Sequence, residues 1–262
     1  MKTRRAKVLA VANQKGGVGK TTTSLTLGSC FGFMGRKVLV IDLDPHACAT
    51  IHMAQYPEGV ERTAHDLFAL TVDERTWRKA IVSEPELPFD FVPSHIRVSD
   101  LESDLKDRPG KGLVLKKALE AILEDYDVII LDCPPQVGVL QVNSLVAADL
   151  VIIPIQTDFL ALHGLKLILD TIRMLNKILD RPIEYRALAT MYDQRAGACR
   201  RVLELLRAKL GPRVFETIIH TDTKFREASA KGKVLLEYAP RSRGAQEYTQ
   251  LAKEIDEMGF WA

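Results

Sequence analysis

With 262 residues, the chain is long enough for one α/β domain with a full core, and nothing in its length requires two. Apolar residues make up 47%, aromatic residues 6% and charged residues 27%, the balance of an ordinary soluble globular protein. Its 36 basic and 34 acidic residues leave a net charge of +2, so the chain as a whole is no polycation, and no stretch approaches the ~20 apolar residues of a membrane span.

The amino-terminal run Met1-Lys2-Thr3-Arg4-Arg5-Ala6-Lys7 lacks the apolar core of a signal peptide, and a cytoplasmic location is expected. Residues 8–12 read as a buried strand. They lead into Lys15-Gly16-Gly17-Val18-Gly19-Lys20-Thr21-Thr22, and residues 21–33 have helical character. A strand entering a glycine-rich turn that opens a helix aims backbone N–H groups and the positive helix end at one spot, where a polyphosphate can sit. Any Cβ there would hold the backbone away from the anion. Lys20 then reaches the β- and γ-phosphates, and the Thr21 hydroxyl joins the shell of Mg2+. The usual spacing wants a further glycine where this chain has Gln14, and an extra lysine, Lys15, opens the loop instead.

A second strand over residues 38–41 runs into Asp42-Leu43-Asp44-Pro45, two carboxylates at the carboxyl end of a strand, where open α/β sheets bind ligands. Alternation along an extended chain sends both the same way. One would position the attacking water and the other support the metal shell, unless the pair simply caps a turn before proline. Residues 56–107 are rich in Pro, Asp and Glu and are expected to form irregular helices, with a strand over 89–92. After a helix over 113–125, the strand at 128–131 ends in Asp132, the arrangement in which a carboxylate holds Mg2+ beside Thr21 through water. Cys133-Pro134-Pro135 then turns the chain out of the sheet, with Cys133 read as a small buried residue.

Further strands are expected at 151–154 and 186–191, and helices at 160–179, 198–210 and 245–258. The apolar strands between helical stretches indicate an α/β fold: a mostly parallel twisted sheet with helices on both faces, like a P-loop NTPase. The four cysteines are far apart, which suits reduced thiols rather than a disulfide frame or zinc site, and the six histidines show no metal-ligand spacing. Residues 181–251 hold 14 Lys and Arg against 8 Asp and Glu, a pattern that serves a solvated face or a nucleic-acid surface equally well.

Taken together, Ala12-Asn13-Gln14-Lys15-Gly16-Gly17-Val18-Gly19-Lys20-Thr21-Thr22, Asp42-Leu43-Asp44-Pro45 and Asp132-Cys133-Pro134-Pro135 resemble the ParA-type partition ATPases, in the deviant Walker-A group that includes MinD. The likeness continues through Ala147-Ala148-Asp149, Ile153-Pro154-Ile155-Gln156, Ala161-Leu162-His163-Gly164-Leu165, Thr190-Met191-Tyr192-Asp193 and Glu227-Ala228, nearly the whole chain. The resemblance implies a single ATPase domain over residues 1–262 that forms a homodimer when ATP is bound, with Lys15 of one subunit reaching the phosphates held by the other. It implies that Asp44 supports slow hydrolysis and that Met191 lies near the adenine. Thr21, Asp42 and Asp132 make up the expected metal set.

In such proteins the dimer coats double-stranded DNA nonspecifically, positions a chromosome, plasmid or other large cargo, and is released when a ParB-like or cargo-adaptor protein stimulates hydrolysis. The expected DNA contacts are Lys224, Arg226, Lys231, Arg241 and Arg243, with the protein nucleoid-associated in the cytoplasm. Two readings stand beside this one: a MinD-like membrane-cycling ATPase, and a regulatory ATPase that binds only a protein partner. The acidic tail Glu254-Ile255-Asp256-Glu257-Met258-Gly259-Phe260-Trp261-Ala262 is unlike a basic membrane-targeting helix, so membrane recruitment is not expected. The chain departs from the family pattern at His46-Ala47-Cys48, where Gln-Gly-Asn is usual, and at Phe225-Arg226, where Leu-Ser is usual.

Overall fold

A computed structural model describes residues 5–54, 62–69, 71–158 and 161–259. Residues 1–4 of the amino-terminal run, parts of the irregular stretch at 55–61 and 70, the expected helix start at residue 160 and the tail aromatics at 260–261 lie outside the described residues.

Among the described residues, six strands form one sheet in the order β3-β2-β4-β1-β5-β6. They are β1 (Lys7–Val11), β2 (Val38–Asp42), β3 (Asp90–Val92), β4 (Val128–Asp132), β5 (Leu150–Gln156) and β6 (Tyr185–Thr190). All five pairings are parallel. Parallel neighbours need crossovers, and helices supply them on both faces of the sheet. One face packs Val8, Ala10, Leu39, Ile41, Ile129 and Leu131 against the helices α5 (Val114–Leu119), α6 (Val139–Ala147), α7 (Ala161–Leu175) and α8 (Gly197–Leu210). The other packs Leu9, Val11, Val38, Val40, Val128 and Ile130 against α1 (Lys20–Phe33) and α11 (Arg243–Glu257). The alternation of neighbouring residues between these two cores follows from the period of two along a strand.

The sheet strands match the sequence expectations to within a residue or two at each end. The differences lie in the helices. Beyond Leu119 the expected helix over 113–125 gives way to turns, and beyond Leu175 so does the helix over 160–179. Helix α6 is not foreshadowed in the sequence because Val139-Leu140-Gln141-Val142-Asn143-Ser144-Leu145-Val146-Ala147 carries no charge and is buried over most of its length, so no polar stripe marks its helical period. The short helices α2 (Cys48–His52), α9 (Lys224–Ser229) and α10 (Leu235–Tyr238) are likewise additions to the expected set. The irregular stretch contains 3₁₀ turns at Ala64–Phe68 and Ile96–Asp100, with α3 (Glu74–Ala80) and α4 (Leu101–Asp104) beside them.

Helix α1 is the structural pivot, with ten of its 14 residues buried, because the sheet covers one side and α11 the other. Thr23 Oγ1 and the Tyr248 hydroxyl share a hydrogen bond of 2.7 Å that ties the two helices. At Gly32 the helix approaches the chain so closely that a Cβ would lie 1.9 Å from the Pro88 carbonyl oxygen. Backbone cannot give way as a side-chain tip can. Gly32→Ala should therefore destabilise the protein by about 2 kcal/mol or more, read as a lower urea midpoint, and an unchanged midpoint would show that the approach is not as tight as described.

Candidate active site

The parallel register brings the chemistry together. Val11, the last residue of β1, pairs with Asp132 at the end of β4, and Asp132 pairs in turn with Asp42 at the end of β2. The glycine-rich loop leaves β1 at this edge, so the loop and two carboxylates are neighbours by strand order alone. Gly17 (φ 72°) and Gly19 (φ 92°) take left-handed backbone, which side chains other than glycine's rarely accept. Gly16 and Gly17 are exposed, whereas Val18 is buried and its carbonyl accepts a 2.9 Å bond from the Thr190 hydroxyl, anchoring the loop to β6.

Lys20 is only 8% exposed, and its ammonium donates to the Lys15 carbonyl oxygen at 3.3 Å. Burial lowers its pKa from the usual lysine range, while Asp132 and Asp44 pull it back up. The Thr21 hydroxyl donates to one oxygen of Asp132 at 2.8 Å and the Ser24 hydroxyl to the other at 2.9 Å. Burial pushes Asp132 up to about 6, against the hold of those hydroxyls and Lys20. Asp42 is pushed up to about 8, first by burial and then by Asp132 beside it. Two carboxylates this deep are short of positive charge, a deficit that a divalent cation would relieve. Among the described residues no three His, Cys, Asp or Glu side chains converge as a metal cage. A cation held at Thr21 and Asp132 would thus draw on phosphate and water oxygens, as Mg2+ does.

The two carboxylates at the end of β2 have different hydrogen-bond partners. Asp42 turns inward: one oxygen accepts the Asp44 N–H at 3.0 Å, and the other accepts the N–H and hydroxyl of Thr50 at 2.9 and 2.7 Å. Asp44 Oδ1 instead accepts the His46 N–H at 2.9 Å and stands 3.0 Å from His46 Nδ1. Both carboxyl groups are nonetheless buried close to Asp132, Asp42 at the last residue of β2 and Asp44 just past the strand end. Ser24 and Thr50, which position the buried carboxylates, are not among the residues that the sequence singles out. The spacing of Thr21 and Ser24, three apart on the first turn of a helix, is the available signal for one of them.

Thr21 and Thr22 also face a cavity of about 940 Å3, whose further walls include Met191, Ile219, Phe225 and Tyr248. Met191 is 40% exposed and holds left-handed backbone (φ 51°), unusual for a side chain of its size. A chamber with apolar walls opening from the phosphate loop has the size and lining for a nucleoside. The glycine cradle, Lys20, and the Thr21 and Asp132 pair thus fit a nucleoside triphosphate with its metal.

The five cations expected on a DNA face are not equivalent. Arg226 lines the same cavity as Thr22 rather than standing only on an outer face. Lys224 pairs with Glu227 at 2.6 Å and Arg243 with Glu247 at 2.7 Å, so their charge is partly spent inside the chain. Lys231 and Arg241 are exposed and make no ion pair among the described residues.

Residues 6–185 match the family model described as an AAA domain. The chain is 38% identical to the sporulation initiation inhibitor protein Soj of Bacillus subtilis, over 95% of this chain and 98% of that protein. It is 36% identical to the chromosome partitioning protein ParA of Caulobacter vibrioides, over 95% and 93% of the two chains. A Mycobacterium smegmatis structure, described as cobyrinic acid a,c-diamide synthase with bound ATP analog and magnesium, superposes with a TM-score of 0.79 at 32% identity, covering 97% of each chain. A phosphate loop beside β4 and β2 carboxylates, in a chain matched over 95% of its length by Soj and by ParA, makes this protein a member of the ParA and Soj family of partition ATPases.

Proposed function

We propose that the chain works as one ATPase domain over residues 1–262, binding ATP with Mg2+ and pairing with a second copy while ATP is bound. The dimer holds double-stranded DNA without sequence preference and positions a chromosome, plasmid or other large cargo on the nucleoid. A ParB-like or cargo-adaptor protein stimulates the slow hydrolysis that releases it. The observation that carries this reading is the alignment of Lys20, Thr21, Asp132 and Asp44 at the carboxyl ends of adjacent strands. The partition role in the names of Soj and ParA supports the cargo, and the ATP analog and magnesium named with the M. smegmatis relative support the cofactors.

Bound ATP would supply the phosphoanhydride bond to be broken, and Mg2+, held at Thr21 and Asp132, would supply a divalent charge to offset that of the phosphates. The backbone from Gly16 to Thr22 cradles the phosphates, and Lys20, already desolvated, meets the β- and γ-oxygens without the cost of shedding water at the moment of reaction. Thr21 and Asp132 hold the metal side, with Asp42 supporting Asp132 from the next strand. Asp44 holds the attacking water, oriented through His46. Lys15 serves phosphates bound by the second copy, and Met191 borders the adenine. Among the described residues no helix is long and apolar enough to cross a membrane, and the apolar face of α11 is already spent on Tyr248, Leu251 and Ile255 in the core. With that face buried, α11 offers no apolar stripe to a lipid surface, which favours DNA as the platform.

Lys20→Ala should weaken ATP binding by roughly a hundredfold, since the variant has no buried ammonium to donate to the phosphates. A calorimetric titration checks this, and wild-type affinity would remove Lys20 from its role. Asp44→Ala should still bind ATP and dimerise but hydrolyse about a hundredfold more slowly. Phosphate release equal to wild type, with the stimulating partner present, would refute the assignment. On DNA, Arg241→Glu and Lys231→Glu should lower affinity about equally on unrelated duplexes and flatten the salt dependence by about 0.9 in slope for each phosphate no longer neutralised. The paired Lys224 should matter less. Unchanged retention of the ATP-bound variants on DNA at low salt would exclude this face as the binding surface.

A further inference from the structure

Lys15 is held by its own chain. Its ammonium lies 2.5 Å from one oxygen of Asp158, and the two side chains are 25% and 37% exposed. The backbone on either side is fixed too. The Lys15 N–H donates to Asn13 Oδ1 at 3.0 Å, the Asn13 amide donates to the Pro154 carbonyl at 2.7 Å, and the Gln14 amide donates to the Thr171 hydroxyl at 3.1 Å. Asp158 lies just beyond β5, the strand that pairs with β1, so strand order again supplies the neighbour. Its second oxygen is buried and has no hydrogen-bond partner among the described residues. Among those residues Lys15 is therefore the group that satisfies this carboxylate, and opening the pair leaves the carboxylate with neither oxygen matched.

We propose that Asp158 is a positioning residue that holds Lys15 against its own chain, and that ATP-dependent pairing of two copies must open this contact. The proposal rests on the cross-subunit role given to Lys15 above. An ammonium 2.5 Å from a carboxylate in its own subunit has its charge largely compensated there. To serve a phosphate in the second subunit it must leave that oxygen, and each protomer of the dimer meets the same requirement. Asp158 thereby raises the protein concentration at which dimers form, and it competes with phosphate for the same cation. The contact is ionic and partly exposed, so its grip weakens as salt rises.

The test uses the full chain with Mg2+ and a non-hydrolysable ATP analogue, following dimer formation by light scattering. Asp158→Asn keeps the shape and removes the charge. It should dimerise at about threefold to tenfold lower protein concentration, the scale of a partly exposed ion pair, while binding ADP as wild type does. Asp158→Glu, which restores the charge, should return the threshold toward wild type, a rescue that a purely structural role for this position would not require. In a Lys15→Gln background, Asp158→Asn should have no effect on dimerisation. If Lys15→Gln weakens the dimer but Asp158→Asn leaves it unchanged or weakens it, the holding role of Asp158 is overturned and the role of Lys15 stands. If Lys15→Gln dimerises like wild type, the cross-subunit reading falls and this proposal with it.

Discussion

Three carboxylates and one ammonium share the carboxyl edge of the sheet, and the rest of the molecule is arranged around that imbalance. Asp42 and Asp132 are almost wholly inaccessible, Asp44 nearly so, and Lys20 is the cation buried among them. Isolated charges at such depth would each carry a large desolvation cost. Part of it is offset by hydroxyls from Thr21, Ser24 and Thr50, and by backbone N–H groups from Asp44 and Thr50. The remainder shows as carboxyl groups shifted upward and a lysine shifted downward. A site in this condition gains on meeting a divalent cation, whose positive charge offsets the excess of carboxylates and lets the site accept a polyphosphate beside Lys20.

That imbalance depends on topology more than on any single contact. β4 lies between β1 and β2, so Asp132 touches both the loop-bearing strand and the strand that ends in Asp42. β5 and β6 extend the sheet on the other side of β1, where β5 delivers Asp158 to Lys15 and β6 delivers Thr190 to the Val18 carbonyl. The loop is thus gripped from both flanks, while α1, trapped between the sheet and α11, fixes the direction in which its N-terminal end points. Gly32 belongs to the same constraint, since its missing side chain lets α1 settle against the segment leading into β3.

Much of this is legible in the amino-acid sequence, because apolar strands such as Val128-Ile129-Ile130-Leu131 declare themselves and the loop has few competing interpretations. Asp132 beside Thr21 is legible because a strand-ending carboxylate can be read together with the phosphate loop. What stays hidden has several physical causes. Ser24 and Asp158 act on partners 108 and 143 residues away, and which strand lies beside which is not written locally, whereas Thr50 reaches back eight residues to Asp42 through the fold of the turn after β2. Helix α6 is hidden by its own burial, which erases the polar stripe. The different hydrogen-bond partners of Asp42 and Asp44 arise at a strand end, where the chain turns. The basic residues near the carboxyl end are plainly numerous in the sequence, yet charge counting cannot tell that Glu227 and Glu247 occupy two of them or that Arg226 borders the nucleoside-sized cavity.

On the proposed function, the γ-phosphate joins two copies of this chain at the carboxyl edge of the sheet. Sedimentation velocity of the wild-type chain with Mg2+ and either ATP or ADP tests it most directly, before appreciable hydrolysis has occurred. A dimer with ATP and a monomer with ADP are expected at the same protein concentration, and one species of the same mass with both nucleotides would overturn ATP-dependent pairing.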